Sequence, residues 1–136
     1  MEGSFRTGDI IKARVIKVPF LFHTGIIVTN DGVVSIWHCT PNGFNEVGGS
    51  VRKTPIQDWL KTRILISVER TNLTRQYIED ISHSLYSRKF SYIFFNCEHF
   101  VYLIKDGRER SPQLAGWVAV AAMVAVLYLS YGKRSA

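Results

Sequence analysis

Eighteen consecutive residues without a charge, Leu114 to Tyr131 (LAGWVAVAAMVAVLYLSY), constrain this chain more than any other feature. As a helix rising 1.5 Å per residue they span about 27 Å, slightly less than a hydrocarbon layer of about 30 Å. Trp117, Tyr128 and Tyr131 lie near the ends of the run, where amphipathic rings favour the membrane interface. Lys105, Arg108 and Arg110 precede it and Lys133 and Arg134 follow. A core helix of a small soluble domain would carry the same apolar content but keep one polar face, and this segment is apolar all round. The sequence therefore predicts a soluble domain over 1–113, a membrane span over 114–131 and a short basic tail over 132–136.

The remaining length suits one domain. The start, MEGSFRTGDI, has no apolar core of signal-peptide length, so the expectation is a tail-anchored protein with a cytosolic domain. The short span suits a thin bilayer such as the endoplasmic reticulum. The net charge of +6 fits an anionic membrane surface or a nucleic acid. No zinc-finger spacing, phosphate loop or long basic block argues for nucleic acid. Cys39 and Cys97 are the only cysteines, and in a reducing compartment each thiol is packing or chemistry.

Within 1–113 the pattern is α+β: a small antiparallel sheet with packed helices. GDII opens a β-rich run from Ile10 to Val18, which Pro19 interrupts. FLFHTGIIV (20–28), TNDG and VVSIWHC form the clearest hairpin in the chain. A loop over 40–50 follows, then a short helix or turn in VRKTPIQDWL and a strand in RILISVER with Ile64, Ile66 and Val68 alternating. Ile78, Ile81 and Leu85 fall at helical spacing, with Thr71 or Asn72 as the cap. A further helix starts near Cys97, with Phe100 and Ile104 four residues apart.

The chemistry concentrates in YIFFNCEHFVYLI, where Asn96, Cys97, Glu98 and His99 interrupt an apolar run. Asn96 is a good N-cap, which puts Cys97 in a first helical turn, where free N–H groups and the helix dipole lower a thiol pKa. His99 lies about 200° round the helix from Cys97 and cannot serve as its base. The hairpin offers one. With a two-residue loop at Asn30-Asp31, His23 faces His38 directly; with the loop at Asp31-Gly32 the pair is diagonal and still on one face. Alternation sends Cys39 to the other face and leaves Cys97 as candidate nucleophile. One imidazole then takes the thiol proton and the second orients the first, which requires one of them within hydrogen-bonding reach of Cys97. Inert packing of the cysteine and a zinc site of His23, His38 and Cys97 are the alternatives, the latter short of a fourth ligand.

GDII at 8–11, HTGIIV at 23–28, IWHCTP at 36–41 and NCEHFV at 96–101 resemble, in this order, the lecithin:retinol acyltransferase-like (H-box/NC) family. The similarity is greatest to its small phospholipase A/acyltransferase branch, whose members also end in a hydrophobic anchor. The resemblance implies a circularly permuted papain- or NlpC-like fold, with Cys97 as nucleophile, His23 as general base and acid, and His38 as the third polar residue. It implies a glycerophospholipid substrate at a membrane, an acyl thioester intermediate, and no cofactor or metal. Water, an amine lipid or a lysophospholipid would accept the acyl group. The chain departs from the pattern in three places. Gly32 to His38 is two residues longer, so that Ser35 is an alternative third residue; KDG replaces Arg-Tyr-Gly after the NC block; and the insertion of retinol-esterifying members is missing. Picornaviral H-box/NC proteins with hydrophobic tails are also similar, and imply a membrane-tethered interaction protein without catalysis. A peptidase or amidase of the related fold is the remaining expectation.

Overall fold

The computed structural model describes residues 5–41 and 49–132. Five antiparallel strands, β1 (Ile10–Val15), β2 (Val18–Asn30), β3 (Val33–Pro41), β4 (Gly49–Pro55) and β5 (Arg63–Glu69), form one sheet in the order β4-β3-β2-β1-β5. The helices are α1 (Ile56–Leu60), α2 (Arg75–Ser84), α3 (Cys97–Asp106) and α4 (Pro112–Gly132). The α+β class expected from the sequence is therefore observed. The basic tail beyond 132, and the part of the 40–50 loop that falls at 42–48, lie outside the described residues.

Side-chain alternation in β2 divides the core. Ile26 and Val28 join Trp37, Cys39, Phe100, Val101 and Ile104 in one cluster, under α2 and α3. Ile27 joins Ile11, Ala13, Ile36 and Trp59 in the other, on the α1 side. The Gly-Asp that opens β1 is structural. Gly8 has φ +92°, and a Cβ there would lie 2.8 Å from the Leu73 carbonyl oxygen. Asp9 is buried and accepts from the Arg6 N–H at 2.8 Å and from Arg70.

Several boundaries differ from the sequence expectation. β1 stops at Val15, and Pro19 lies inside β2 rather than breaking it, in the stretch beyond the Val15↔Val18 pair. Residues 51–55, expected to be helix or turn, extend β4, and only Ile56–Leu60 is helical, because pairing with β3 takes the extended chain up to Pro55. The α2 cap is Thr74, whose hydroxyl accepts from the Tyr77 N–H, rather than Thr71 or Asn72. Thr71 is engaged with the Gly8 carbonyl instead. β5 is an edge strand, so Ile64, Ile66 and Val68 stay exposed although they alternate. α4 has 21 residues, about 31 Å, longer than the expected span over 114–131 and long and apolar enough to cross a membrane.

Candidate functional site

The β2–β3 hairpin turns at Asp31 (φ 48°) and Gly32 (φ 79°), two left-handed residues as a type I′ turn demands. The ladder then runs from Asn30↔Val33 to Ile26↔Trp37 and stops. Below it β2 stays with β1, and β3 continues with β4. The sheet forks between His23 and His38. Gly25 stands at the point of the fork, where a Cβ would fall 2.5 Å from Ile36 Cδ1 and 2.8 Å from the Trp37 carbonyl oxygen. This close approach is the physical reason for a glycine two residues after His23.

Backbone polarity follows from the same register. Ile27 gives its N–H to Asp9 and its carbonyl to Gly8, so odd residues of β2 bond toward β1 and even ones point to β3. At Phe22 and Thr24 β3 has gone, and Cys97 takes its place. The thiol meets the Phe22 carbonyl at 3.9 Å, and the Thr24 N–H also faces the sulfur. Cys97 is the first residue of α3, and the Asn96 side chain caps that helix by accepting from the N–H groups of Glu98 (3.0 Å) and His99 (3.1 Å). The cap and the first-turn position read from the sequence are thus observed.

His99 Nδ1 accepts from the Asn96 N–H at 3.1 Å, completing a capping box and leaving no contact with the thiol. The buried Glu98 carboxylate accepts from Ser111 Oγ at 2.7 Å and from the Gln113 N–H at 2.8 Å. It therefore satisfies an orphan donor at the start of α4 and places negative charge at that helix's positive end.

His23 and His38 share the α1 side, with ring centroids 5.1 Å apart, and both pack near Trp59. The diagonal pairing of the Asp31-Gly32 register is the one found. Neither imidazole is hydrogen-bonded to Cys97. His23 pairs with Ala13, a residue of the α1-side cluster, whereas α3 packs on the opposite face. His23 Nε2 donates to the Cys39 carbonyl at 3.2 Å, and its Nδ1 accepts from Arg63 Nε at 3.0 Å, which assigns the neutral Nε2–H tautomer. His38 Nε2 bonds Thr54 Oγ1 at 2.9 Å, while its buried Nδ1 has no protein partner. Ser35, the alternative third residue, lies up the hairpin opposite Val28.

The expectation of a direct Cys97–His23 hydrogen bond is thus corrected. Two-residue alternation turns the ring to one side of β2 while the sulfur lies at the strand's edge. His23, His38 and Cys97 do not converge as a zinc site either, and no group of three or more metal-ligating side chains occurs among the described residues.

Electrostatics agree with a resting arrangement. Burial pushes the Cys97 thiol up, aided by the Glu98 charge, and outweighs the Thr24 N–H that favours thiolate. The lowering expected from the helix start is therefore not the net result, because Cys97 is only 8% exposed. Cys39, on the face opposite His38 as expected, packs in the α3-side cluster and is pushed up to about 12, chiefly by burial. Burial first, then the His38 and Arg63 charges, hold His23 well below the usual histidine range. Burial, Arg63 and Arg52 take His38 to about 3.

Arg63 is the residue that sequence reasoning missed. It also donates to the Trp59 carbonyl at 2.8 Å and lies over the Trp59 ring at 4.8 Å. Forty residues separate it from His23, and only a sheet that sets β5 beside β1 brings the two together. A small cavity of about 90 Å³ reaches Thr24 and Glu98, the neighbours of Cys97. The chain matches no protein-family model and no curated protein.

Proposed function

We propose that the chain is a tail-anchored thiol acyl hydrolase and acyltransferase acting on glycerophospholipids, described here in a closed state. One observation carries the reading: a cysteine at a capped helix start lies against the backbone of the strand that bears His23, in a fork flanked by the two histidines. In turnover, His23 exchanges Arg63 for the Cys97 thiol, swinging across the β2 edge that β3 has left open. Hydrogen bonds of this kind are often unmade before substrate arrives. The thiolate attacks the ester carbonyl, a C–S bond forms, the C–O bond breaks, and His23 returns the proton to the departing lysophospholipid. The first-turn N–H groups of α3 face the developing oxyanion. Water, an amine lipid or another lysophospholipid then takes the acyl group from Cys97.

The second reading, a membrane-tethered interaction protein without catalysis, is favoured by the Arg63–His23 bond and the neutral, buried thiol. One experiment separates the two. Full-length wild type, Cys97→Ser and His23→Ala are incubated with phosphatidylcholine mixed micelles. Fatty acid release by wild type alone, with an acyl adduct on Cys97 by mass, is expected. Equal background in all three, with membrane association intact, means the scaffold reading.

A further inference from the structure

Just before the NC block, the chain exposes an apolar turn. Ile93 and Phe94 are 60% and 78% exposed, and Tyr92 is half-exposed. A folded domain gains nothing in water from presenting three such side chains in a row, and a contiguous apolar patch of this kind marks an interaction surface. Phe20, in β2, is also exposed and meets Trp117 of α4 edge-on, with centroids 6.0 Å apart.

Hydrogen bonds tie both features to the root of α4. Asn96 Nδ2 donates to the Tyr92 carbonyl at 3.0 Å and to Ser111 Oγ at 3.2 Å, which brackets the apolar turn with the residue preceding α4. The Phe22 N–H donates to Gln113 Oε1 at 3.1 Å, which holds β2 against the first turn of α4. Trp117 lies five residues into that helix, about 8 Å along its axis, comparable with the depth of one interfacial layer. Lys12 stacks over the Phe22 ring at 4.8 Å and Arg14 pairs with Phe22 in the sheet, so cations border the patch on the β1 side. An apolar tip edged by long cationic side chains suits a headgroup layer.

We infer that Phe20, Tyr92, Ile93, Phe94 and Trp117 form one wedge that enters the interfacial layer of the bilayer crossed by α4. The wedge fixes the domain's tilt and turns the Cys97 edge of β2 toward lipid. The occupant is the bilayer surface, because Phe20 packs on Trp117 of the apolar helix and the Tyr92–Phe94 turn is hydrogen-bonded through Asn96 to the residue preceding that helix. This inference rests on α4 spanning a bilayer and is independent of any chemistry at Cys97.

The test uses full-length chain in phosphatidylcholine–phosphatidylserine vesicles, with Phe94→Trp and, at the far end of the hairpin, Val33→Trp as separate variants. Phe94→Trp is expected to add blue-shifted emission that lipids brominated high on the acyl chain quench several-fold more than the emission added by Val33→Trp. Equal quenching of the two, or water-like emission from Phe94→Trp, overturns the wedge. Alkaline carbonate extraction keeps the two failures apart. Release of the chain sinks the membrane helix and the wedge with it, whereas retention with an unquenched Phe94→Trp sinks the wedge alone.

Discussion

Arg63 holds the lone pair of His23 Nδ1, so at the residue scale the first question is what happens when it lets go. Replacing Arg63 with Leu removes one positive charge that lowers both imidazoles, and the His23 and His38 titrations should move upward, still below an exposed histidine because burial is the larger cause. Imidazole chemical shifts followed against pH give the answer, and unchanged titration would rule out the contact. Both histidines are depressed from 6.5, so their neutral forms stabilise the fold above that pH. Stability is lost as pH falls from 6.5 toward about 3, by up to roughly 4–5 kcal/mol for His38. Denaturant midpoints at pH 7 and pH 4 should show this loss, and His38→Phe should flatten it. Of these residues the sequence showed the histidine pair, since one hairpin register places both. It did not show Arg63, whose approach depends on non-local strand order.

Among the elements, the joint between α3 and α4 depends on Glu98. Changing it to Ala leaves Ser111 Oγ and the Gln113 N–H without their carboxylate and should cost about 1–3 kcal/mol. The loss is expected as faster hydrogen exchange in the first turn of α4 while the β1–β2 ladder stays protected. Uniform loosening of sheet and helix would contradict a local joint. Strands β1, β2 and β3 and helix α3 were legible because alternation, an Asp-Gly turn and an Asn cap are local signals. β4 was not, because its extended form comes from pairing with β3. The role of Glu98 was hidden for a related reason, since a carboxylate in an apolar run carries no mark of which helix it caps.

For the whole molecule, two kinds of burial coexist. The domain buries its own core, while none of the residues in the apolar window of α4 is buried by the rest of the protein. Lysine at both Val120 and Met123 should cost about 2.5–3.5 kcal/mol each in a bilayer centre. Such a chain is expected in the carbonate supernatant, with the hydrogen exchange of β1–β3 unchanged. Persistence in the membrane pellet, or a destabilised sheet, would show that α4 packs on protein instead. The long apolar helix was readable because freedom from charge over a fixed length is a one-dimensional property. The separation of thiol and imidazole was not, because it depends on which side of one strand a helix comes to rest.

The carboxylate beside Cys97 makes the tail a stiff handle rather than a slack leash. Any tilt that a bilayer imposed on α4 would pass through Ser111 and Gln113 into the turn that carries the sulfur. Grafting a foreign span through a glycine-serine joint would preserve address while uncoupling that posture.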